Sequence, residues 1–98
     1  SRRRHTRYSA SVMYSQSRKA DAENLAESIK AQGIKVNCTG SMTRTHSQFI
    51  AHSKKATNDF YVHLKSKMPE LGGMQFVYDP ANYYCAESDF TIVLTGSD

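Results

Sequence analysis

No run of apolar residues in this chain approaches the ~20 needed to cross a bilayer, and no charged, apolar and small-residue succession marks a cleaved signal. Tryptophan is absent, and proline and cysteine occur twice each. The two cysteines, Cys38 and Cys85, lack CxxC spacing, which excludes zinc-ribbon and thioredoxin-type chemistry. Four histidines are present, His5, His46, His52 and His63. His46 and His52 flank one strand but have no third ligand beside them, and His63 reads as a helix-boundary residue, so no metal site is expected. Neither GxxxxGK[ST] nor GxGxxG occurs, which removes the usual phosphate cradles. The serines sit in no GxSxG elbow and form no acid–His–Ser set. The chain is therefore read as a non-enzyme without cofactor.

A basic body is also missing. The net charge is +4, but Arg2, Arg3, Arg4 and Arg7 supply it from a short arm, SRRRHTR, and the remaining nine basic residues meet nine acidic ones. Nucleic-acid binders draw most of their affinity from a basic stripe on the folded body. Residues 1–8 thus read as a flexible arm or linker, and no specific nucleic acid is expected as a partner. The opening Ser1 reads as the start of an excised or processed piece of a longer protein.

What is present is pattern. In 98 residues with 39% hydrophobic and 10% aromatic content there is enough apolar material for one small domain, placed at residues 9–98 and expected to be monomeric. Residues 9–15, SASVMYS, alternate as a strand. Ser17 is the expected cap of a helix running to Gln32, with Ala22, Leu25, Ala26 and Ile29 forming its apolar stripe and Gly33 as a left-handed C-cap. IKVNC (34–38) alternates again, with Cys38 on the inward side. TGSMTRTH (39–46) reads as a loop. A second unit follows: Phe49 and Ala51 against Gln48, Ile50 and His52, then Ser53 capping a helix with Ala56, Phe60 and Leu64 at intervals of four, ended by Pro69 and Gly72–Gly73. MQFVY (74–78) and FTIVL (90–94) are the last strands.

The order is βαβ–βαβ–β, a duplicated unit with a period of about 37 residues. One apolar face per strand and two amphipathic helices imply an α+β fold, a two-layer sandwich with both helices on one face of the sheet. The other face would display Ser11, Met13, Lys35, Asn37, Gln48, Ile50, His52, Gln75, Val77, Thr91 and Val93, open to solvent or to a partner. Arg18–Lys19 and Lys54–Lys55 open the helices against the helix dipole; they read either as paired anion contacts or as solvated surface. In DPANYYCAE, Tyr83 and Tyr84 can offer ring faces to a sugar or peptide, or simply half-bury against the sheet. Cys38 and Cys85 can pair in an oxidising compartment; otherwise Cys38 is a small core residue.

Taken together, SVMYSQSRKADAENLAESIKAQGIKV, SQFIAHSKKATNDFYVHLKSKM and FVYDPANYYCAESDFTIVLTGSD resemble the LytR C-terminal domain family of LytR/CpsA/Psr-type cell-envelope proteins, over residues 10–98. The closing SDFTIVLTGSD carries most of the resemblance. The first unit also resembles the sporulation-related (SPOR) repeat, whose members bind glycan strands. Where the LytR-type family leaves its first strand through Asn–Gly, this chain has Tyr14-Ser15-Gln16-Ser17. The resemblance implies an extracytoplasmic accessory domain, periplasmic or at the cell surface, within a larger membrane-anchored or secreted bacterial protein. Neither family offers a functional motif to carry over; on the chain's own pattern the partner would be wall glycan (peptidoglycan) or an envelope protein, bound through the open sheet face and the tyrosine loop, with Asn37, Gln48, His52, Tyr83 and Tyr84 as the candidate residues. The alternative is an RNA-binding βαββαβ domain using the arginine arm; it lacks an RNP1-like motif. A ligand-sensing domain of an enzyme is a third class, for which the sequence marks no pocket.

Overall fold

The computed structural model describes residues 8–43 and 46–95. The arm residues 1–7, which carry the arginines, lie outside that range. Tyr8 does not behave as arm. Its ring stacks on Phe60 at 4.1 Å between centroids, and its carbonyl accepts from the Lys35 N–H at 3.1 Å.

The chain forms β1 (Ser9–Tyr14), α1 (Lys19–Ala31), β2 (Lys35–Ser41), β3 (Gln48–Ala51), α2 (Asn58–Lys67), β4 (Gln75–Tyr78) and β5 (Phe90–Leu94). These strands make one sheet in the order β2-β1-β5-β3-β4. Within each unit the two strands are parallel neighbours, β1 with β2 and β3 with β4. β5 enters between the units, parallel to β1 and antiparallel to β3. The halves are therefore related by an approximate two-fold axis through β5, perpendicular to the sheet. Such crossovers are right-handed almost without exception, and two crossovers of one hand related by this axis put both helices on the same face.

Between helices and sheet lies a core built from Ala10, Val12, Phe49, Phe90 and Ile92, with Leu25 and Ile29 from α1 and Tyr61 and Leu64 from α2. Phe49 is its aromatic hub, with centroids 4.8 Å from Phe90 and 4.9 Å from Tyr61. All five residues of β5 are buried, as a strand flanked on both edges and covered on both faces must be. The α+β two-layer expectation and the shared helix face hold.

Local chemistry differs from expectation at both helix starts. A 3-10 turn, Gln16–Arg18, precedes α1, so Ser17 is not its cap, and no side chain caps the helix. α2 begins later than Ser53; its cap is Thr57, whose hydroxyl accepts from the Phe60 N–H at 3.1 Å. Ser53 instead accepts from the Lys55 N–H in the turn before it. The shift rotates the buried stripe, so that Tyr61 goes to the core beside Leu64 while Phe60 is only partly buried. The C-terminal end of α1 is as expected. Gly33 has φ +83°, and its N–H and that of Ile34 bond back to Lys30 and Ile29, the paired closure for which a left-handed glycine is suited.

β2 runs on to Ser41, so Thr39–Ser41 are strand rather than loop. The sequence alternation of β2 fails at Asn37. Ala10 faces Val36, but Ser11 faces Cys38, and the ladder slips by one residue between them. An extra residue in one strand leaves two successive residues opposite a single partner. Cys38 is thereby moved to the face away from the helices, where its Sγ lies 3.6 Å from Ser11 Oγ. The inward placement of Cys38 is thus overturned by the bulge.

Candidate binding site

The middle of the sheet face away from the helices is not open, although Lys35 and Gln75 on its edge strands are exposed. Ser11, Met13, Ile50, His52, Thr91 and Val93 are all buried on it. The segment between β4 and β5, residues 79–89, folds back across this face. Met13, Ile50 and Val93 form a small second core, against which Met42, Val77 and Tyr84 pack. A mixed surface of this kind carries enough apolar area that a covering loop removes it from water favourably.

Three groups of contacts hold the loop. Cys38 and Cys85 are joined by a disulfide, with Cα atoms 6.2 Å apart, inside the normal range for the bond. Asn37 Nδ2 donates to the Glu87 carbonyl at 2.7 Å and to Ser88 Oγ at 3.2 Å, and Ser88 Oγ is 2.6 Å from Ser11 Oγ. Asn37 and Cys38, the two residues of the bulge, thus both reach the loop. At the other end His52, only 4% exposed, bridges loop and sheet: Nδ1 to the Asp79 carbonyl at 2.8 Å and Nε2 to Thr91 Oγ1 at 2.7 Å. A carbonyl only accepts, so Nδ1 carries the proton, and in the uncharged tautomer Nε2 accepts from the Thr91 hydroxyl.

Tyr83 and Tyr84 stand over this histidine, with ring centroids at 5.1 and 5.8 Å. Their fates differ: Tyr84 packs on the second core, whereas Tyr83 stays 44% exposed. Beside Tyr83 opens a cleft of about 540 Å³, bounded by Ser9, His52, Ser53, Glu87, Ser88 and Asp89. Asp89 is structurally engaged, accepting from the Ser9 N–H at 3.0 Å and pairing with Lys55 Nζ at 3.3 Å. The Glu87 carboxylate and the Tyr83 hydroxyl make no hydrogen bond among the described residues.

Of the residues singled out from sequence, His52, Tyr83, Tyr84 and Asn37 converge on this loop. Gln48 does not: it sits four residues from His52 along β3, about 13 Å away at strand rise, and its amide donates to Gln75 Oε1 at 3.0 Å. Asn37 and His52 act as internal struts. Ser9, Ser53, Glu87, Ser88 and Asp89 were not singled out, because nothing in their spacing says that the start of β1, the end of β3 and the lead-in to β5 meet. One member of each basic pair has a local duty. Arg18 bonds Asp21 at 2.8 Å and reaches the Thr95 carbonyl, and Lys55 bonds Asp89.

No group of three or more metal-ligating side chains occurs among the described residues, and none of their helices is long and apolar enough to cross a membrane. Comparison with protein-family models gives no match, and neither the curated proteins nor the solved structures give one.

Proposed function

We propose that this chain is a non-catalytic binding module of the bacterial cell envelope, acting outside the cytoplasm, and that it engages wall glycan through the cleft beside Tyr83. The observation that carries this reading is the disulfide-anchored loop, which places an exposed tyrosine ring at the rim of a polar cleft. A ring face bordered by hydroxyls and a carboxylate suits the apolar faces and hydroxyl edges of a sugar. Fixing it in advance spares the ordering cost of binding. The disulfide is compatible with an oxidising compartment, and the resemblance to LytR-type domains points the same way. An RNA-binding module would need stacking aromatics on an open sheet face; here that face lies under the loop, and no observation favours that alternative.

The test is co-sedimentation with insoluble peptidoglycan at low and high salt, comparing the wild-type chain, Tyr83→Ala, and a variant with Arg2, Arg3, Arg4 and Arg7 replaced by glutamine. Binding that survives high salt and loss of the arginines but fails in Tyr83→Ala is the expected result. Binding that disappears with salt or with the arginines would make the arm a non-specific electrostatic handle and defeat the reading.

A further inference from the structure

The cleft beside Tyr83 has a sign. Among the described residues its lining contains two carboxylates, Glu87 and Asp89, and no lysine or arginine. Asp89 is answered by Lys55 Nζ and by the Ser9 N–H. Among the described residues Glu87 is held through its backbone carbonyl alone, and its exposed carboxylate meets no cation there. Next to it Tyr83 presents ring surface to solvent. The Ser9 and Ser53 hydroxyls each accept one backbone N–H, so each keeps a proton and a lone pair that can turn toward a guest. Ser88 and His52, by contrast, are committed to the sheet.

An anionic guest would meet Glu87 with no offsetting charge among the described lining residues. A guest with a protonated amine finds a carboxylate for a charge-assisted hydrogen bond and an aromatic face that attracts cations. We propose that the cleft recognises a primary ammonium group carried beside an apolar ring or chain, with Glu87 taking the charge and Tyr83 the adjoining surface. This deepens the glycan-binding reading and rests on it. In a cell wall that chemistry has two sources: an amino sugar lacking its N-acetyl group, or a side-chain amine of the peptide cross-links.

The experiment is titration of the isotopically labelled chain, followed by amide NMR shifts at Tyr83, Glu87, Ser88 and Ser53. The probes are a glucosamine trisaccharide, the N-acetylated trisaccharide, a lysine-containing dipeptide and inorganic phosphate, with the first three repeated on Glu87→Gln. Glu87 is exposed, so the variant retains the fold. Tighter binding of the glucosamine trisaccharide than of its N-acetylated counterpart, by about tenfold, and lost in Glu87→Gln, supports the proposal and names the sugar as source. The same Glu87-dependent preference for the dipeptide supports it and names the peptide. Equal or tighter binding of the N-acetylated sugar, unchanged in Glu87→Gln, overturns the ammonium proposal while the glycan reading stands. Shifts induced by phosphate at these residues overturn it as well. Absence of any shift there overturns the proposal; co-sedimentation with peptidoglycan then decides separately whether the glycan reading falls too.

Discussion

At the scale of single residues, two buried side chains knit irregular backbone to regular elements, one on each side of the sheet. Below the helices, the Tyr61 hydroxyl donates to the Leu71 carbonyl at 2.6 Å and accepts from the Met74 N–H at 3.2 Å, tying α2 to the turn that leads into β4. On the opposite face His52 ties Asp79 to Thr91. The Tyr61 partners are buried, and those of His52 are buried or partly buried. Tyr61→Phe leaves a buried carbonyl and N–H unmet and should cost about 1–3 kcal/mol. His52→Ala adds a cavity to two lost hydrogen bonds and should cost about 3 kcal/mol. Urea unfolding of each variant measures these. A loss under about 0.5 kcal/mol in either would mean that water replaces the missing partner. Tyr83→Ala is the counterpart: its ring is half exposed, so stability should stay within about 0.5 kcal/mol while wall binding falls.

At the scale of elements, the amphipathic periods were readable and their starting points were not. The stripe Ala22, Leu25, Ala26 and Ile29 is wholly buried because an apolar period of 3.6 has only one way to face a core. The run FTIVL coincides with β5. Caps were misplaced because Ser17, Ser53 and Thr57 are all competent N-cap residues, and tertiary packing, not local preference, decides among them. Thr57→Ala should therefore cost about 1 kcal/mol, and Ser17→Ala, removing no cap bond, less than about 0.5 kcal/mol. Equal losses in thermal unfolding would refute this assignment. The β2 bulge had no signal at all: alternation continues evenly through Val36-Asn37-Cys38, and only pairing with Ser11 reveals the slip. From that slip follows the misplaced cysteine. Of the five residues marked for the site, Tyr83 and Tyr84 belong to the loop itself, and Asn37 and His52 meet it through hydrogen bonds. The serine and carboxylate lining was illegible because it is assembled from three distant segments.

At the scale of the whole molecule, the two-fold arrangement leaves an unusual debt. Both helices cover one face, so the second face, with Met13, Ile50 and Val93 at its centre, must be covered by something else. The 79–89 loop does this without regular structure, and within its middle the fixed points are the Cys38–Cys85 bond and Tyr84. The disulfide closes 47 residues of chain, running from the edge strand β2 through α2 to the loop, so it restrains the unfolded chain over the whole second repeat. For a loop of that length the chain-entropy relation gives about 4 kcal/mol, a large share of the stability of a domain this small. Reduction by a dithiol should thus lower the unfolding free energy measured in urea by most of that amount, and the midpoint with it. Because the apolar face lies directly under the released segment, reduction below the unfolding midpoint should also raise binding of a dye that reports exposed apolar surface. The Cys38→Ser, Cys85→Ser double variant should behave alike without reductant. Should the midpoint fall with no rise in dye binding, Tyr84, Asn37 and His52 alone hold the loop down, and the disulfide acts only on the unfolded chain. Should both change together, the same bond that closes the chain also maintains the cleft, and glycan binding should be lost in parallel with it.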